Sequence, residues 1–592
     1  MKSRKSIAVL PFTNMSADGE NDFFCDGITE EIIDAMSKIS GLKVISRTSS
    51  FFFKNHQTTL QEISEKLQVS NLLEGSVRIA NDVMRIKAQL INVEEDEVFW
   101  ADSWDRKKEN LFKIQDEISL LIAEKMREHY GHMDIQEQLV HTGTNNLSAY
   151  EHLLKGRHHF RQWNPEDVNK SITHFETATD LDNQLIDAFL GLADAYSFMA
   201  VAGFAPREEA WVKSIENIQK AKSLNEHHEG LNFMLANQSF FTAADYNGAM
   251  KHILRSVSVK PTYPDAQHFL SFLYMLRGEM TKAKEHLFFS KSIDPLNPET
   301  KFYEAYFLYR NNDYNGSLQL IEELLNANDK NLPAILIHVY VLIKLKRLDD
   351  AANRLKEIKV ETFTPDERLG LSILIEVLKG NASHQLEQLE KNAKEPSAHQ
   401  AHAYLFLIYV NLGLNDKAFH VLDQVFISAS PVLLLVFGDP LASKIREDER
   451  WLTYHSKIYH VKQESSTVKK SKSARPDEPV VKDQIVRLTT HVETERPFLN
   501  PALSLRSLAG QIEIHPNQLS WLLNDSLGKN FNEFINHHRI AHFKKLILDP
   551  DNSHISIIGL AYESGFNSKT VFNTAFKKEV GMTPKEFQKR QS

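Results

Sequence analysis

The sequence predicts three consecutive folded units: a small α/β unit, an all-α solenoid of helical repeats, and an all-α C-terminal unit with two helix-turn-helix elements. Strand and helix patterns alternate over roughly the first 130 residues, and a pattern of small and apolar residues then returns every 34 positions. The last hundred or so residues contain one arrangement of short helices twice. A chain of 592 residues is too long for one hydrophobic core, so several domains are expected.

The composition is that of a globular protein, with 42% hydrophobic and 25% charged residues. A net charge of −9 argues against a chain that coats nucleic acid along its whole length, but it leaves room for a local basic module. The single cysteine, Cys25, excludes an intramolecular disulfide and a multi-cysteine metal site. No run approaches the ~18 apolar residues of a membrane span, and no signal peptide is recognisable. We therefore expect a cytoplasmic protein with no membrane partner.

Residues 1–135 are expected to form the α/β unit. The predicted strands are 7–10, 42–46, 72–79, 83–93 and 98–104, and the predicted helices are 28–39, 60–67 and 111–129. Polar turns are expected at Asn81-Asp82 and at residues 94–96. Asp26-Gly27 is interpreted as a helix entry with Asp26 as its cap, although a binding role stays open.

Four segments of this unit carry a family resemblance: AVLPF, CDGITEEI, LEGSV and FWADSWDR, which begin at residues 8, 25, 73 and 99. Over about residues 5–130 the chain is similar to the TolB-like amino-terminal domain, which often precedes tetratricopeptide arrays in bacterial regulators and cyclase-linked proteins. The resemblance implies a regulatory or assembly role and identifies no ligand.

Residues 148–457 contain almost no strand signals and repeat with a period of 34. Small residues return at Ala249, Ala283, Ser317 and Ala351, and each is followed four positions later by an aliphatic residue: Ile253, Leu287, Ile321 and Leu355. This pattern indicates tetratricopeptide repeats, six to eight in number, in which the small residue lets two helices approach closely. A helical bundle without repeats is the alternative. Such an array is expected to bind a protein or peptide partner.

Residues 458–495 are predicted to be a flexible linker, because basic residues stand among Ser, Thr and Pro with few apolar anchors before Ile485. The basic residues are Lys469, Lys470, Lys472 and Arg475, which could touch phosphates or stay solvated.

Residues 496–592 contain the repeated helix-turn-helix pattern. The first copy has an apolar helix from Leu505 to Ile512, a turn that ends at Pro516, and a second helix that ends before Gly528. A connecting helix from Phe531 to Leu548 would span about 27 Å. The second copy has helices over 555–561 and 568–580, with Ser568 as N-cap, and a short helix over 585–589 follows.

Residues 555–587, ISIIGLAYESGFNSKTVFNTAFKKEVGMTPKEF, resemble the signature of AraC/XylS-type transcriptional regulators. The likeness includes Gly565-Phe566, the Phe572/Phe576 pair and Gly581-x-Thr583-Pro584, and it extends over roughly residues 497–592. It implies two units that enter neighbouring major grooves on one DNA face, about 34 Å apart. The expected function is a sequence-specific transcription regulator that binds double-stranded operator or promoter DNA.

Side chains near the start of each second helix are expected to reach base edges. They are Asn517, Ser520 and Trp521 in the first unit, and Lys569, Thr570, Asn573 and Thr574 in the second. Asn can read adenine and Lys can donate to guanine, each good pair discriminating by about 1–3 kcal/mol. The expected phosphate contacts are Lys529, Lys544, Lys577 and Lys578.

Two positions depart from the family pattern. Thr574 stands where many relatives carry arginine, which weakens the expected base readout there. Trp521 is large for a base-reading position and has packing on the connecting helix as its alternative role. For each charged residue taken alone, a solvated surface position is the alternative.

Other functions have less support in the sequence. The chain has no phosphate-binding loop, dinucleotide-binding loop, zinc-protease or nucleophile-elbow motif, so we expect no enzyme, cofactor or metal site. The alternative function is a tetratricopeptide scaffold that assembles proteins without binding DNA. Residues 498–592 hold eleven Lys and Arg against eight Asp and Glu, so a single copy would bind DNA weakly and a homodimer is a hypothesis.

Overall fold

The computed structural model describes residues 3–16, 22–54, 56–80, 83–107, 111–136, 139, 143–160, 165–201, 204–359, 362–381, 384–460 and 478–591. The α/β domain has six strands: β1 (Ser3–Val9), β2 (Thr13–Asn14), β3 (Lys43–Val44), β4 (Val69–Ala80), β5 (Val83–Asn92) and β6 (Glu97–Lys107). Its helices are α1 (Asp22–Ser37), α2 (Arg47–Phe51), α3 (Leu60–Leu67) and α4 (Leu111–Tyr130). Every predicted strand and helix of this unit is present. The turn predicted at Asn81-Asp82 lies outside the described residues.

The sheet has the order β3-β1-β4-β5-β6, with β2 paired to β4. Strand β1 is parallel to β3 and β4, whereas β4, β5 and β6 form an antiparallel meander. Alternate residues of β1 face opposite sides of the sheet. Ile7 and Val9 join the core that holds α1 and α4, and Ala8 joins the smaller core under α3. Helix α4 is thereby fixed on one face of the sheet.

The prediction that Asp26 caps a helix entry is wrong. Helix α1 begins at Asp22, so Asp26 lies inside it and is buried. Its carboxylate pairs with Lys54 at 2.6 Å and lies 3.6 Å from His158. Burial by itself would raise the pKa of Asp26, but His158 and Lys54 hold it below its ordinary value.

The helical region contains eight consecutive helix pairs in the part that the structure describes. They are α5 (Leu147–Phe160) with α6 (Pro165–Leu181), α7 (Ile186–Val201) with α8 (Arg207–Leu224), α9 (Glu229–Ala243) with α10 (Tyr246–Val259), α11 (Pro264–Arg277) with α12 (Met280–Ile293), α13 (Pro298–Arg310) with α14 (Tyr314–Ala327), α15 (Leu332–Lys344) with α16 (Leu348–Glu357), α17 (Pro365–Leu378) with α18 (Leu386–Asn392), and α19 (His399–Leu412) with α20 (Asn415–Leu422). Helices α21 (Gln424–Ile427), α22 (Pro431–Phe437) and α23 (Arg450–Ile458) end the array.

The four small residues that set the 34-residue period are completely buried, and the aliphatic residues that follow them are buried too. The predicted reason for the repeat is therefore confirmed, since a larger side chain at these positions would push paired helices apart. The array also shares a hydrophobic core with the α/β domain: α5 to α7 pack with α1 and α4. Within the described residues, no helix has the length and apolar character needed to cross a bilayer.

The prediction of a linker over residues 458–495 is wrong for its second half. Residues 478–495 form helix α24 (Glu478–Glu495), whose Leu488 and Val492 are completely buried against the C-terminal helices. The apolar residues are spaced for one helical face, but polar neighbours obscure this pattern in the sequence. The four basic linker residues from Lys469 to Arg475 lie outside the described residues.

The C-terminal helices after α24 are α25 (Leu505–Gln511), α26 (Pro516–Trp521), α27 (Phe531–Leu548), α28 (Ile557–Glu563), α29 (Lys569–Val580) and α30 (Pro584–Gln591). They make two successive helix-turn-helix units, α25–α26 and α28–α29, with α27 between them. The predicted order of helices in this domain is confirmed.

Candidate nucleic-acid interface

The first unit is shaped by local signals at each helix end. Ser504 caps α25 by accepting the Ser507 N–H, and Pro516 occupies the first turn of α26. Helix α26 continues as one π-helical turn, Leu522–Ser526, and Gly528 then adopts a left-handed φ of 64°. Glycine takes this conformation without a Cβ penalty, so the chain can turn into α27.

The second unit repeats this plan with its own residues. Ser568 is the N-cap of α29, as predicted, and accepts the Val571 N–H at 3.4 Å. Gly565, in the turn, has a φ of 92°, and a Cβ there would lie 2.2 Å from the Phe498 carbonyl oxygen. The turn therefore packs directly on backbone of the segment that precedes the first unit.

Helix α27 holds the two units at a set spacing because it belongs to both of their cores. Its first half contributes Phe531 and Phe534 to the core with α24 and α25, and its second half contributes Phe543 to the core with Phe572 and Phe576. Arg539 donates from Nε to the Phe498 carbonyl at 2.8 Å. Burial lowers the pKa of Arg539 to about 10. The helix spans about 27 Å, compatible with readers in neighbouring grooves.

The second unit presents its predicted reader to solvent. Lys569, Thr570, Asn573 and Thr574 are all exposed on α29. Lys577 and Lys578 are exposed on the same helix, and Lys578 pairs with Glu533 at 2.9 Å. Burial would raise the pKa of Glu533, but the hydrogen bonds from Lys578 and the Asn530 N–H lower it. The predicted contact residues of the second unit therefore share one exposed face of α29.

The first unit does not present its predicted reader in the same way. Asn517 is half-buried, and its side-chain amide is hydrogen-bonded to residues of the α/β domain. Ser520 is completely buried, and its hydroxyl has no hydrogen-bond partner among the described residues. Trp521 is half-buried against the core shared by α24, α25 and α27, consistent with the packing role that the sequence left open. As DNA contacts, these three residues remain predictions.

Two of the predicted phosphate contacts lie outside α26 and α29, one before α27 and one within it. Lys529 and Lys544 are half-buried, and the Lys544 ammonium stands 5.9 Å from the centre of the Phe587 ring. Their roles toward phosphate also remain predictions.

Helix α4 of the α/β domain covers the first unit. The Leu505 N–H donates to Glu128 at 2.9 Å, and Arg506 donates to Glu124 at 3.1 Å. Asn530, before α27, donates to the His129 carbonyl at 3.0 Å. Sequence reasoning missed these α4 residues because their partners lie almost 400 positions away, and no local pattern marks such a contact.

A second candidate site lies on the repeat array. Asp265, His268 and Glu299, on the first helices of two neighbouring pairs, bring one possible ligand atom each to within 4.8 Å of one another. Glu299 lies at the surface, where partial desolvation and the neighbouring carboxylates of Asp265 and Asp194 raise its pKa to about 8. Burial also raises the pKa of Asp194, to about 7, with Asp265 adding to the effect.

Comparison with known protein families gives two matches. Residues 508–590 match the family described as "Helix-turn-helix domain", and residues 3–121 match "HilA/YgeH-like transcriptional regulator, second domain". The first match begins inside α25 and includes the rest of both helix-turn-helix units, and the second includes the α/β domain through the first half of α4.

Three curated proteins are similar to parts of the chain. A Rhizobium meliloti protein, provisionally named as an adenylate cyclase, is 34% identical over 36% of this chain and 35% of its own length. The transcriptional regulator HilA of Salmonella typhimurium is 19% identical over 37% of this chain and 40% of its own. The melibiose operon regulatory protein of Escherichia coli is 28% identical over 15% of this chain and 28% of its own. The matches thus span about a third of each relative.

Among solved structures, a tetratricopeptide repeat protein from Parabacteroides merdae is 10% identical, with a TM-score of 0.28, over 49% of this chain and 99% of that chain. The consecutive helix pairs and their buried small residues are what identify the repeat fold.

Proposed function

We propose that this protein is a transcription regulator that binds specific sequences in double-stranded DNA, because it has an AraC-type helix-turn-helix domain at its C-terminus. The observation that carries the proposal is the pair of helix-turn-helix units built around one helix, α27, with the α29 reader open to solvent. A rigid connector of about 27 Å lets two readers enter successive major grooves together. A regulator of this kind works in the cytoplasm, on operator or promoter DNA.

In the proposed complex, α29 lies in the major groove. Asn573 pairs with adenine and Lys569 donates to guanine, while Thr570 and Thr574 contact base edges or methyl groups. Lys577 and Lys578 bind phosphates and set the position of the helix without reading sequence. The first unit adds Asn517, Ser520 and Trp521 once its reader faces DNA, with Lys529 and Lys544 at phosphates.

We further infer that the repeat array receives a protein or peptide partner. The consecutive helix pairs support such a partner, because stacked repeats of this kind form an extended surface for protein or peptide segments. The low charge excess of the DNA-binding domain supports a homodimer on DNA, because two copies would double the number of contacts. Light scattering of the free and DNA-bound chain tests this, and a monomer in both states would contradict the dimer.

Two alternative functions, a protein scaffold and a cyclase, have less support than this proposal. The scaffold alternative keeps the repeat array but leaves the exposed reader of α29 without a role. The similarity to the protein named as an adenylate cyclase extends over only 35% of that protein's length. It therefore gives no ground for proposing cyclase activity in this chain. We propose a regulator that acts through binding, without catalysis.

Selection of bound sequences from a random duplex pool with the full chain tests the function. We expect a motif with two parts about 10 base pairs apart, the spacing of one helical turn. A chain with Lys569→Ala and Asn573→Ala should lose sequence preference in one part only. A matched control, Asn169→Ala with Lys170→Ala on the exposed face of α6, should select the same motif as the unaltered chain. If the unaltered chain enriches no sequence at moderate salt, the regulator proposal fails.

A further inference from the structure

Three hydrogen-bond donors of the first helix-turn-helix unit are occupied by the α/β domain. They are the backbone N–H of Leu505, the guanidinium of Arg506 and the side-chain amide of Asn517. A backbone amide and an arginine are donors of the kind that bind DNA phosphates, and an asparagine at the start of a reader helix is of the kind that binds a base.

The acceptors for the first two donors are carboxylates on one face of α4. Glu124 and Glu128 are four residues apart, so they lie one above the other on that face. Glu128 is 4% exposed and accepts the Leu505 N–H, while Glu124 accepts two hydrogen bonds from Arg506. Glu124 also pairs with Arg127, and Glu128 with Lys125, on α4 itself. The two carboxylates in a row resemble the phosphates of a DNA strand in their capacity to accept hydrogen bonds.

The third donor, the Asn517 amide, forms hydrogen bonds through both its nitrogen and its oxygen. Asn517 donates from Nδ2 to the Ile135 carbonyl at 3.1 Å, and its Oδ1 accepts the Ile135 N–H at 3.2 Å. Arg127, which is completely buried, donates to the same oxygen. Asparagine pairs with adenine through this same combination of one donated and one accepted hydrogen bond. The backbone N–H and carbonyl of Ile135 therefore occupy the edge with which Asn517 would read a base.

We propose that α4 and residues 131–135 act as an internal mimic of DNA that keeps the first helix-turn-helix unit closed. The inference rests on the proposed function and deepens it by naming how the DNA site is regulated. Docking and DNA exclude each other at this unit because Asn517, a predicted base contact, cannot bind Ile135 and a base at the same time. A signal that separates α4 from the unit therefore raises the affinity for DNA, and DNA in turn weakens docking by the same factor.

The test of the mimicry uses the full chain with Glu124→Gln and Glu128→Gln. Both changes keep the side-chain shape and remove the charges that hold Leu505 and Arg506. The matched control is Glu65→Gln with Glu117→Gln, which removes two exposed charges from the same domain away from the interface. Binding to a labelled mixed-sequence duplex of about 40 base pairs is measured at fixed salt. We expect the test variant to bind at least tenfold more tightly than both the unaltered chain and the control.

A second variant opens the interface without a change of charge. A Cβ at Gly131 would lie 2.2 Å from Asn524 Oδ1 in the first unit, so Gly131→Ala displaces the Asn524 side chain at the interface and weakens docking. Gly41→Ala is its control. The φ of Gly41 is 84°, close to the 90° of Gly131, but a Cβ added at Gly41 would have no neighbouring atom within 4 Å. Both substitutions strain the backbone to a similar degree, and only the first touches the interface.

Hydrogen–deuterium exchange of peptides from residues 505–524, without DNA, reports docking separately. We expect at least tenfold faster exchange there in the Glu124→Gln/Glu128→Gln chain and in the Gly131→Ala chain, but not in the controls. Faster exchange with unchanged duplex affinity overturns the mimic while leaving the regulator function in place. Unchanged exchange in both test variants overturns the docking itself. If no chain binds any duplex, the proposed function fails, and the mimic fails with it.

Discussion

The two helix-turn-helix units share a plan but differ in what surrounds them. Both have a serine N-cap on the first helix, a short turn, and a second helix that is followed by a glycine with a left-handed φ. The first unit is packed between α24 and α4, whereas the reader of the second, on α29, is open. A repeated sequence pattern thus produces a repeated fold without repeating its accessibility, because accessibility depends on contacts with distant parts of the chain.

The largest expected effect concerns α24, which only the first unit uses. Leu488→Ala removes a completely buried side chain from the core of the first unit and should cost about 2–5 kcal/mol of local stability. Hydrogen–deuterium exchange should speed up over residues 505–524 and stay unchanged over 569–580. Val486→Ala, at a side chain that is 62% exposed, should change neither region by more than about 0.5 kcal/mol. Equal changes in both units would mean that they unfold as one body.

A pair of matched asparagine substitutions compares the two readers directly. Asn573→Ala in the full chain should weaken binding to the selected duplex by about 1–3 kcal/mol, because an exposed base contact is lost. Asn517→Ala should cost less or even strengthen binding, since it also removes the contacts to Ile135 and Arg127 that keep the unit docked. Fluorescence anisotropy titrations measure both, and an equal loss in the two variants would argue that the units are equally accessible.

The contact between the second unit and residues 497–499 can be broken at one glycine. Gly565→Ala should destabilise the second unit by about 1–3 kcal/mol, because the added Cβ meets the Phe498 carbonyl and φ is left-handed. Gly510→Ala, inside α25 with no atom near its Cβ, should be neutral or stabilising. Thermal unfolding with exchange over residues 560–580 distinguishes them. A Gly565→Ala chain as stable as the Gly510→Ala chain would contradict this packing.

The smallest expected effect is a pH dependence of docking. Burial is the main cause that lowers the pKa of His129. Lys578 lowers this pKa further, whereas Glu95 and Glu533 raise it. The docked state therefore binds fewer protons than the open one, so docking is fully present above about pH 6.5, the ordinary histidine pKa, and weakens below it.

Exchange over residues 505–524, corrected for intrinsic rates, should accelerate modestly from pH 7.5 to 5.5, because protonation of His129 favours the open state. His129→Gln should flatten this dependence, whereas His554→Gln, at an exposed position of the second unit, should leave it intact. No pH response in the unaltered chain would show that His129 is not coupled to docking.

Elements with a periodic local signal could be predicted from the sequence. The 34-residue period located the paired helices because each small residue meets a neighbouring helix, and the turns around Pro516 and Gly528 located the first unit. Errors arose where a local signal had two explanations. Asp26 stands before an apolar stretch like a cap, yet α1 begins earlier and buries it. The polar sequence around Leu488 resembles a linker until its two apolar contacts are known.

By itself, the sequence determined the order of the domains, the repeat, the two reading helices and the chemistry of their side chains. These features depend on backbone preference and on apolar spacing within a few turns of helix. Only the tertiary structure decided which reader is free. That outcome depends on Glu124, Glu128 and Ile135 meeting donors almost 400 residues away, and hydrogen bonds over such separations leave no periodic trace in the chain.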